Sequence, residues 1–225
     1  MENIVIKISI MLVPALLAII LHEVSHGYVA ERFGDPTARL LGRLNLNPLR
    51  HLDPIGTVAV FIFGFGWARP VPVNAGNLRH PKRDMIWVSL AGPVTNLSLA
   101  VLSALLLKLI TLIEPMLAAD SDVVIRPLRM MAAFSLYINV LLGTFNLLPI
   151  PPLDGGRVLT GILPSRQAAL LSKLEPFGFV LILFLIFFTD LWKLVLSPVI
   201  SALIQLLAGA EWPLVQHSMQ YLFGN

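Results

Sequence analysis

Long runs of uncharged, apolar residues constrain this chain more than any other feature of its sequence. Met85–Leu107 and Met130–Leu153 contain 23 and 24 residues without a charge, and about 20 such residues cross a bilayer as a helix. Only 13% of the 225 residues are charged, and the mean hydropathy is +0.81. Because soluble domains carry about 25% charged residues, the sequence predicts an integral membrane protein.

Helices are the expected way for such runs to cross lipid, because a helix satisfies its own backbone groups. We therefore expect an all-α polytopic membrane protein, a bundle of about four transmembrane helices with five possible. The first three spans are predicted at about Ile4–Ala30, Met85–Leu107 and Met130–Leu153. Beyond residue 175, we expect one further span followed by an interfacial helix.

Two segments are expected to depart from a simple spanning helix. Thr57–Phe63 is too short to cross the membrane, and Gly64–Asn74 is rich in glycine, proline and β-branched residues that favour extended backbone. We therefore expect a short membrane-associated β or re-entrant segment near residues 57–74, bordering a site. Glu211–Asn225 is amphipathic and is expected to lie on the membrane surface.

Basic residues are distributed unevenly along the chain. Eleven of the 16 lysines and arginines lie in Arg32–Arg83 or Arg157–Lys173, whereas the loop Glu114–Asp122 is acidic. Because cytoplasmic loops carry an excess of basic residues, we expect the N-terminus outside the cell membrane. Nucleic acid is not expected as a partner, since no basic and aromatic residues alternate in a recognition motif.

A cluster of ionisable residues ends the first predicted span. The motif HEVSH at residues 22–26 directly follows the uncharged run Val13–Leu21. In a helix, His22 and His26 project from one face and can bind one ion, and Glu23 can act as general base on a metal-bound water. Charge at membrane depth is costly, so we interpret the cluster as functional. The alternative is a helix end with interfacial histidines and a solvated glutamate.

Several residues could supply the third protein ligand that a catalytic zinc requires. The position six residues after His26 holds Arg32, and Glu31 does not share the helical face of the histidines. His51 and Asp53 are possible, but they lie in an arginine-bearing loop, where solvated loop or turn roles are more usual.

Asp154 is the strongest candidate for this third ligand. It follows the prolines that end the third uncharged run, and Gly155 and Gly156 allow close packing of the backbone against another element. The first and third spans run in the same direction, so Asp154 is expected at the same depth as the two histidines. The alternative is an N-cap role for Asp154 on a helix that begins near Gly156.

These motifs together make the sequence similar to the site-2 protease family, intramembrane zinc metalloproteases of the peptidase M50 type. HExxH lies in the first span, and Asn-x-x-Pro-x-Pro-x-Leu-Asp-Gly ends the third. Residues 92–96 resemble the family's Gly-Pro-x-x-Asn motif, and residues 64–74 resemble its membrane-associated β segment. The resemblance covers about Ile4–Leu159, and we expect a short form without a PDZ or CBS domain.

The resemblance implies one zinc ion per chain, held by His22, His26 and Asp154, with Glu23 as the catalytic base. It also implies that Asn146 assists near the scissile carbonyl. An amide in a dry pocket could donate to a developing oxyanion, and the alternative for Asn146 is a helix–helix hydrogen bond. The implied reaction is hydrolysis of a peptide bond in or near a transmembrane segment of a protein substrate, close to the cytoplasmic face.

We expect a single membrane-embedded protease domain over residues 1–225, with a catalytic core at about 4–160 and C-terminal helices at about 174–225. Asn96, in the second span, is expected to be a buried structural amide. One alternative function is hydrolysis of a lipid or lipidated peptide by the same ligands. Another is a non-catalytic zinc-binding protein or transporter, but a transporter is expected to carry inverted repeats or several intramembrane polar ligands.

Overall fold

The computed structural model describes residues 2–63, 66–117 and 121–224. In this part of the chain every regular element is helical, and the one β contact is an isolated antiparallel bridge between Leu52 and Ala68. The α-helices are α1 (Glu2–Arg32), α2 (Thr37–Leu40), α3 (Pro48–His51), α4 (Pro54–Phe63), α5 (Pro81–Ile113), α6 (Asp122–Asn146), α7 (Asp154–Ile162), α8 (Ser165–Ser172), α9 (Gly178–Phe188), α10 (Ser197–Ala208) and α11 (Trp212–Phe223).

Four helical segments of the described residues are long and apolar enough to cross a membrane, which identifies an integral membrane protein. A bent pair of helices, Ser165–Phe177 and Val180–Phe188, would make a fifth span if it is counted as one crossing. The predicted number, about four with five possible, is confirmed. The four segments are Ile4–Arg32, Pro81–Met116, Asp122–Asn146 and Trp192–Phe223.

The third span ends earlier than its uncharged run. α6 stops at Asn146, and residues 147–153 form turns before α7 begins at Asp154. Pro149, Pro151 and Pro152 lack the N–H group that a continuing helix needs, and a proline ring also clashes with the preceding turn. The run therefore supplies a spanning helix and a tight connection in place of one longer helix.

The β or re-entrant segment expected near residues 57–74 is not a strand. Pro54–Phe63 is helical, and residues 66–74 form irregular backbone with only the isolated bridge at Ala68. Gly64 and Phe65 lie outside the described residues. Pro70 and Pro72 have no N–H to contribute to a ladder, which explains why a bridge forms here without a strand.

The C-terminal helix also differs from the expectation of a surface helix. Val215, Ser218 and Leu222 of α11 are buried, and Leu222 joins a core cluster with Met130 and Phe134 of α6. The apolar face of this amphipathic helix is therefore covered by protein and not by the membrane surface.

The turn after α1 has a specific geometry that matters for the site. Gly34 has a φ of +110°, a conformation that glycine adopts without the strain of a Cβ atom. The N–H of Asp35 then donates to the carbonyl of Ala30 at 2.9 Å, a bond of the kind that closes helix C-termini. This geometry turns Asp35 back toward the protein, where its side chain is fully buried.

Contacts divide the described chain into two compact units. The first comprises residues 1–18, 96–144 and 189–225, and the second comprises residues 19–95 and 145–188. Each unit has its own packing, and the candidate site described below lies within the second.

A buried polar network crosses the first unit. The Asn96 side chain is fully buried, and its Nδ2 donates to the Asn139 Oδ1 at 2.8 Å and to the Ala18 carbonyl at 3.2 Å. Asn139 in turn donates to the Ser135 carbonyl at 2.9 Å. Asn96 thus has the buried structural role expected of it, and Ala18 and Asn139 on neighbouring helices are among its partners.

Replacement of Asn139 by alanine is expected to destabilise the first unit, because the buried Asn96 amide loses one acceptor. A lost buried hydrogen bond costs about 1–3 kcal/mol in free energy of unfolding. The thermal midpoint of the purified protein in detergent should fall, whereas Leu102→Ala, at a side chain that is 60% exposed, should change it little. Equal midpoints for the two variants would contradict the assigned role of the network.

Candidate metal centre

Three electron-rich atoms converge in the second unit. The Nε2 atoms of His22 and His26 lie 3.1 Å apart, and the Asp154 Oδ2 lies 3.2 Å from the first and 3.4 Å from the second. All three side chains are buried, with exposed fractions of 7%, 8% and 7%. Among the described residues, these two histidines and one aspartate form the group whose geometry could hold a metal ion.

The helical spacing of α1 explains how the two histidines meet. Four residues apart on one face, the His22 and His26 rings lie edge to face with centroids 4.7 Å apart. The Nδ1 of His26 lies 2.7 Å from the carbonyl oxygen of Val88 in α5. Because a carbonyl only accepts hydrogen bonds, Nδ1 is the protonated nitrogen in neutral imidazole, and Nε2 presents its lone pair to the cluster.

Asp154 supplies the observation that tests whether zinc fits. Its Oδ2 is buried without a hydrogen-bond partner of acceptable geometry, although the two imidazole nitrogens lie close by. Tetrahedral zinc with bonds of about 2.0–2.1 Å separates its ligands by about 3.3–3.4 Å, which agrees with the distances among the three atoms. The residues present therefore fit a zinc ion, with nitrogen and oxygen donors in a chain that contains no cysteine.

Two glycines allow close approaches in and beside this cluster. A Cβ atom on Gly92 of α5 would lie 2.5 Å from the Nε2 atoms of both His22 and His26. At the start of α7, a Cβ on Gly155 would lie 2.2 Å from the Leu147 carbonyl oxygen. Close backbone packing is thus present beside Asp154, but it is against the preceding turn of residues 147–153 and not against a separate element.

Glu23 lies beside the cluster and is oriented by backbone. Its Oε2 accepts a hydrogen bond from the N–H of Val71 at 2.8 Å. The irregular backbone of residues 66–74 therefore borders the site, as the sequence predicted. The identity of the donor was not predicted, since a backbone N–H that meets a distant side chain leaves no pattern in the sequence.

The rival ligands have other partners. Glu31 pairs with the Arg39 guanidinium through both carboxylate oxygens. The His51 Nε2 donates to the Asn45 carbonyl at 2.8 Å, and Asp53 accepts from the backbone N–H of residue 56 at 2.8 Å. Asp53 thus has the turn role that its loop context suggested, whereas His51 is buried and not solvated, and Glu31 forms an ion pair near the end of α1.

The structure decides against the N-cap alternative for Asp154 but does not decide the role of Asn146. Asp154 is the first helical residue of α7 and makes no capping hydrogen bond, while Leu153 holds the N-cap position. Asn146 is the last residue of α6 and is partly exposed, and the three-residue cluster does not include it. Its role near a scissile carbonyl stays a prediction.

Comparison with known proteins decides the family. Peptidase family M50 matches residues 10–189 of the chain. The chain belongs to this family of zinc metalloproteases. The expected resemblance to site-2 type proteases is confirmed, and the M50 match includes the HExxH motif, the Gly-Pro motif and Asp154.

Relatives in the M50 family carry matching names. The chain is 42% identical over 193 residues to "Putative zinc metalloprotease YwhC" of Bacillus subtilis, covering 85% of this chain and 86% of that protein. It is 36% identical over 178 residues to "Putative zinc metalloprotease Rip2" of Mycobacterium tuberculosis, covering 76% and 64%. It is 25% identical over 164 residues to "Zinc metalloprotease MJ0392" of Methanocaldococcus jannaschii, covering 73% and 37%. No solved structure matches this M50 chain.

Gly92 offers a way to disturb the candidate site without removing any of its side chains. Gly92→Ala would force both imidazoles aside, because the rings are held by helix α1 and cannot simply rotate away. We expect bound zinc to fall well below one ion per chain after dialysis against a chelator of moderate affinity.

Val94→Ala on the same helix, at a side chain that is 55% exposed, is the matched control and should retain zinc. Full zinc retention by Gly92→Ala would show that the ion does not lie among these three side chains.

Proposed function

We propose that this M50 protein is an intramembrane protease that hydrolyses peptide bonds in or near transmembrane segments of membrane-protein substrates. The observation that carries the proposal is the convergence of His22, His26 and Asp154 at the end of a helix long enough to cross a membrane. Burial of these groups without a cation would be costly. An ionisable cluster at this depth is therefore best explained by chemistry performed there.

In this proposal His22, His26 and Asp154 hold one zinc ion per chain. When bound, zinc supplies a Lewis acid that polarises a carbonyl and activates water near neutral pH. The His26 ring is kept in its binding orientation by the Val88 carbonyl, and the carboxylate of Asp154 contributes the negative charge that favours a divalent cation.

Glu23 is the proposed general base. The Val71 N–H occupies its Oε2, which leaves Oε1 as the oxygen available to accept a proton from the attacking water. The same carboxyl group would then deliver that proton to the leaving nitrogen. The hydrogen bond to Val71 orients the carboxylate, so no conformational search is needed before the proton moves.

Asn146 is proposed to assist at the carbonyl. It stands at the end of α6, eight residues before Asp154, and its side-chain amide can donate to an oxygen that gains negative charge. The short turn of residues 147–153, packed against the glycines of α7, gives this end of α6 a defined position.

Residues 66–74 are proposed to be the membrane-associated segment along which the substrate lies. A peptide bond inside a helix is shielded by its own turns, so a transmembrane substrate must unwind before it is cut. Extended chains commonly pair with exposed backbone. Pro70 and Pro72 donate no hydrogen bond and the N–H of Val71 is already used, so pairing here would rely mainly on carbonyl oxygens.

The proposed topology places the N-terminus outside the cell and the site near the cytoplasmic side. This is supported by the concentration of basic residues in the loops that follow α1 and α7. We propose a single protease domain over residues 1–225, with its catalytic core at about residues 4–160.

The test compares zinc content and cleavage of a model transmembrane substrate by purified variants in detergent. Glu23→Gln should retain one zinc but lose at least about 10²-fold in cleavage rate, because general base catalysis contributes about 10²–10⁴-fold. Asp154→Ala should lose both zinc and cleavage. Glu31→Gln removes a carboxylate from the same helix outside the cluster, and it should retain both.

Zinc-independent cleavage, or full activity of Glu23→Gln, would contradict the proposed mechanism. If the wild type binds zinc but hydrolyses a lipidated peptide or lipid and no transmembrane substrate, the alternative hydrolase function is correct.

A further inference from the structure

The irregular backbone of residues 66–74 and the short 3₁₀-helix Ala75–Asn77 that follows it connect Glu23 to a second carboxylate. We name residues 66–77 the strap. The N–H of Val71 in the strap donates to Glu23 Oε2 at 2.8 Å, and the N–H of Asn74 donates to Asp35 Oδ2 at 2.7 Å. Two carboxylates, one on α1 and one just beyond it, thus hold the strap by its backbone donors.

Asp35 is fully buried and accepts several hydrogen bonds. Its Oδ1 accepts from the backbone N–H of Thr37 at 3.1 Å, from the Thr37 hydroxyl, and from Nδ2 of Asn77 at 2.9 Å. Burial raises the pKa of Asp35, but these hydrogen bonds and the one from the Asn74 N–H outweigh burial and hold the pKa below its ordinary value. Asp35 is therefore ionised at neutral pH.

The strap between its two anchors is stiff. Pro72 fixes its own φ and restricts Val71 before it to extended backbone. Only Pro72 and Val73 lie between Val71 and Asn74, so the two anchors are at most about 10 Å apart along extended chain. A shift at Asn74 is therefore transmitted to the N–H of Val71, because few dihedral angles are free to absorb it.

We propose that Asp35 is a positioning residue for the peptidase, holding the strap in the register at which the Val71 N–H orients the carboxylate of Glu23. This inference rests on the proposed function of Glu23. Asp35 itself touches neither the three-residue cluster nor, in this proposal, the substrate. Its effect on turnover is transmitted through the strap.

Asp35→Asn is a selective test because an amide cannot replace both carboxylate oxygens. If the amide oxygen of the new asparagine faces Thr37 and Asn77, the amide NH₂ group faces the N–H of Asn74. Both groups are donors, so no hydrogen bond forms between them. With the opposite orientation, the bonds from Thr37 and Asn77 are lost. In either orientation one of the groups that Asp35 holds is released.

The position of the strap can be measured without activity. The chain contains no cysteine, so a single Val73→Cys substitution gives an unambiguous maleimide target in the strap. Val73 packs against the buried cluster of Ala30, Leu78 and Val88, so its labelling is slow while the strap is in place. We expect Asp35→Asn to raise the labelling rate at position 73 by about fivefold or more.

In the wild-type background without Val73→Cys, Asp35→Asn should lower kcat about tenfold or more, since misplacement of a catalytic group by about 1 Å costs up to about 10²-fold. KM and the zinc content of one ion per chain should stay unchanged. Asp84→Asn is the matched control, since Asp84 is also a buried carboxylate that accepts a backbone hydrogen bond, from His80 at 2.7 Å beyond the strap. It should change neither labelling nor kcat.

A milder variant keeps the test valid if Asp35→Asn folds poorly. Asn77 is exposed, and Asn77→Ala removes one of the two strap donors to Asp35 while leaving the carboxylate intact. It should raise labelling and lower kcat in the same direction by about twofold to threefold.

Unchanged labelling at position 73 in both variants would overturn the proposal. So would loss of zinc, or a rise in KM at unchanged kcat, because the first indicates general collapse of the site and the second indicates a role in substrate binding. Absence of cleavage by the wild type would contradict the proposed function separately, since the labelling comparison does not depend on activity.

Discussion

The close approach of two imidazole nitrogens and one carboxylate oxygen in a buried site is the constraint around which the candidate metal centre is built. Two imidazole nitrogens and a carboxylate oxygen lie 3.1–3.4 Å from one another, and the carboxylate oxygen has no hydrogen-bond partner of acceptable geometry. Such an arrangement is unfavourable in a region of low dielectric unless a cation lies between the atoms. A zinc ion held by these three side chains would therefore also stabilise the fold around the cluster.

Backbone groups position several of the side chains at the candidate metal centre. The Val88 carbonyl selects the tautomer of His26, Gly92 lets α5 approach both rings, and the Val71 N–H orients Glu23. These contacts come from α5 and from the strap, and each depends on the position of main chain more than on side-chain identity.

Much of this organisation could be predicted from the sequence, for identifiable physical reasons. The exclusion of charge from lipid gives spanning helices a strong local signal, so apolar runs located the first three spans, although the third begins and ends earlier than its uncharged run. The His22 and His26 pair followed from helical spacing, and Asp154 followed from the depth that two spans of the same direction share. These are local or one-dimensional arguments, and the sequence contains the information they need.

The errors and omissions have equally physical causes. Residues 66–74 have β-type composition, but Pro70 and Pro72 remove the donors that a strand needs. One span followed by an interfacial helix was expected beyond residue 175, whereas the fourth candidate span is Trp192–Phe223, because Asp190 and Lys193 interrupt the apolar run. The amphipathic face of α11 matches a protein core as well as a membrane surface. The contacts of the strap are between backbone and distant side chains, which leave no pattern in a single sequence.

The most direct test of the zinc centre is X-ray absorption at the zinc edge of the purified wild-type protein. The proposed centre predicts one zinc per chain with two imidazole nitrogens and oxygen ligands at about 2.0–2.2 Å. A spectrum with fewer than two imidazoles in the first shell would contradict the assignment of His22, His26 and Asp154 as the metal centre.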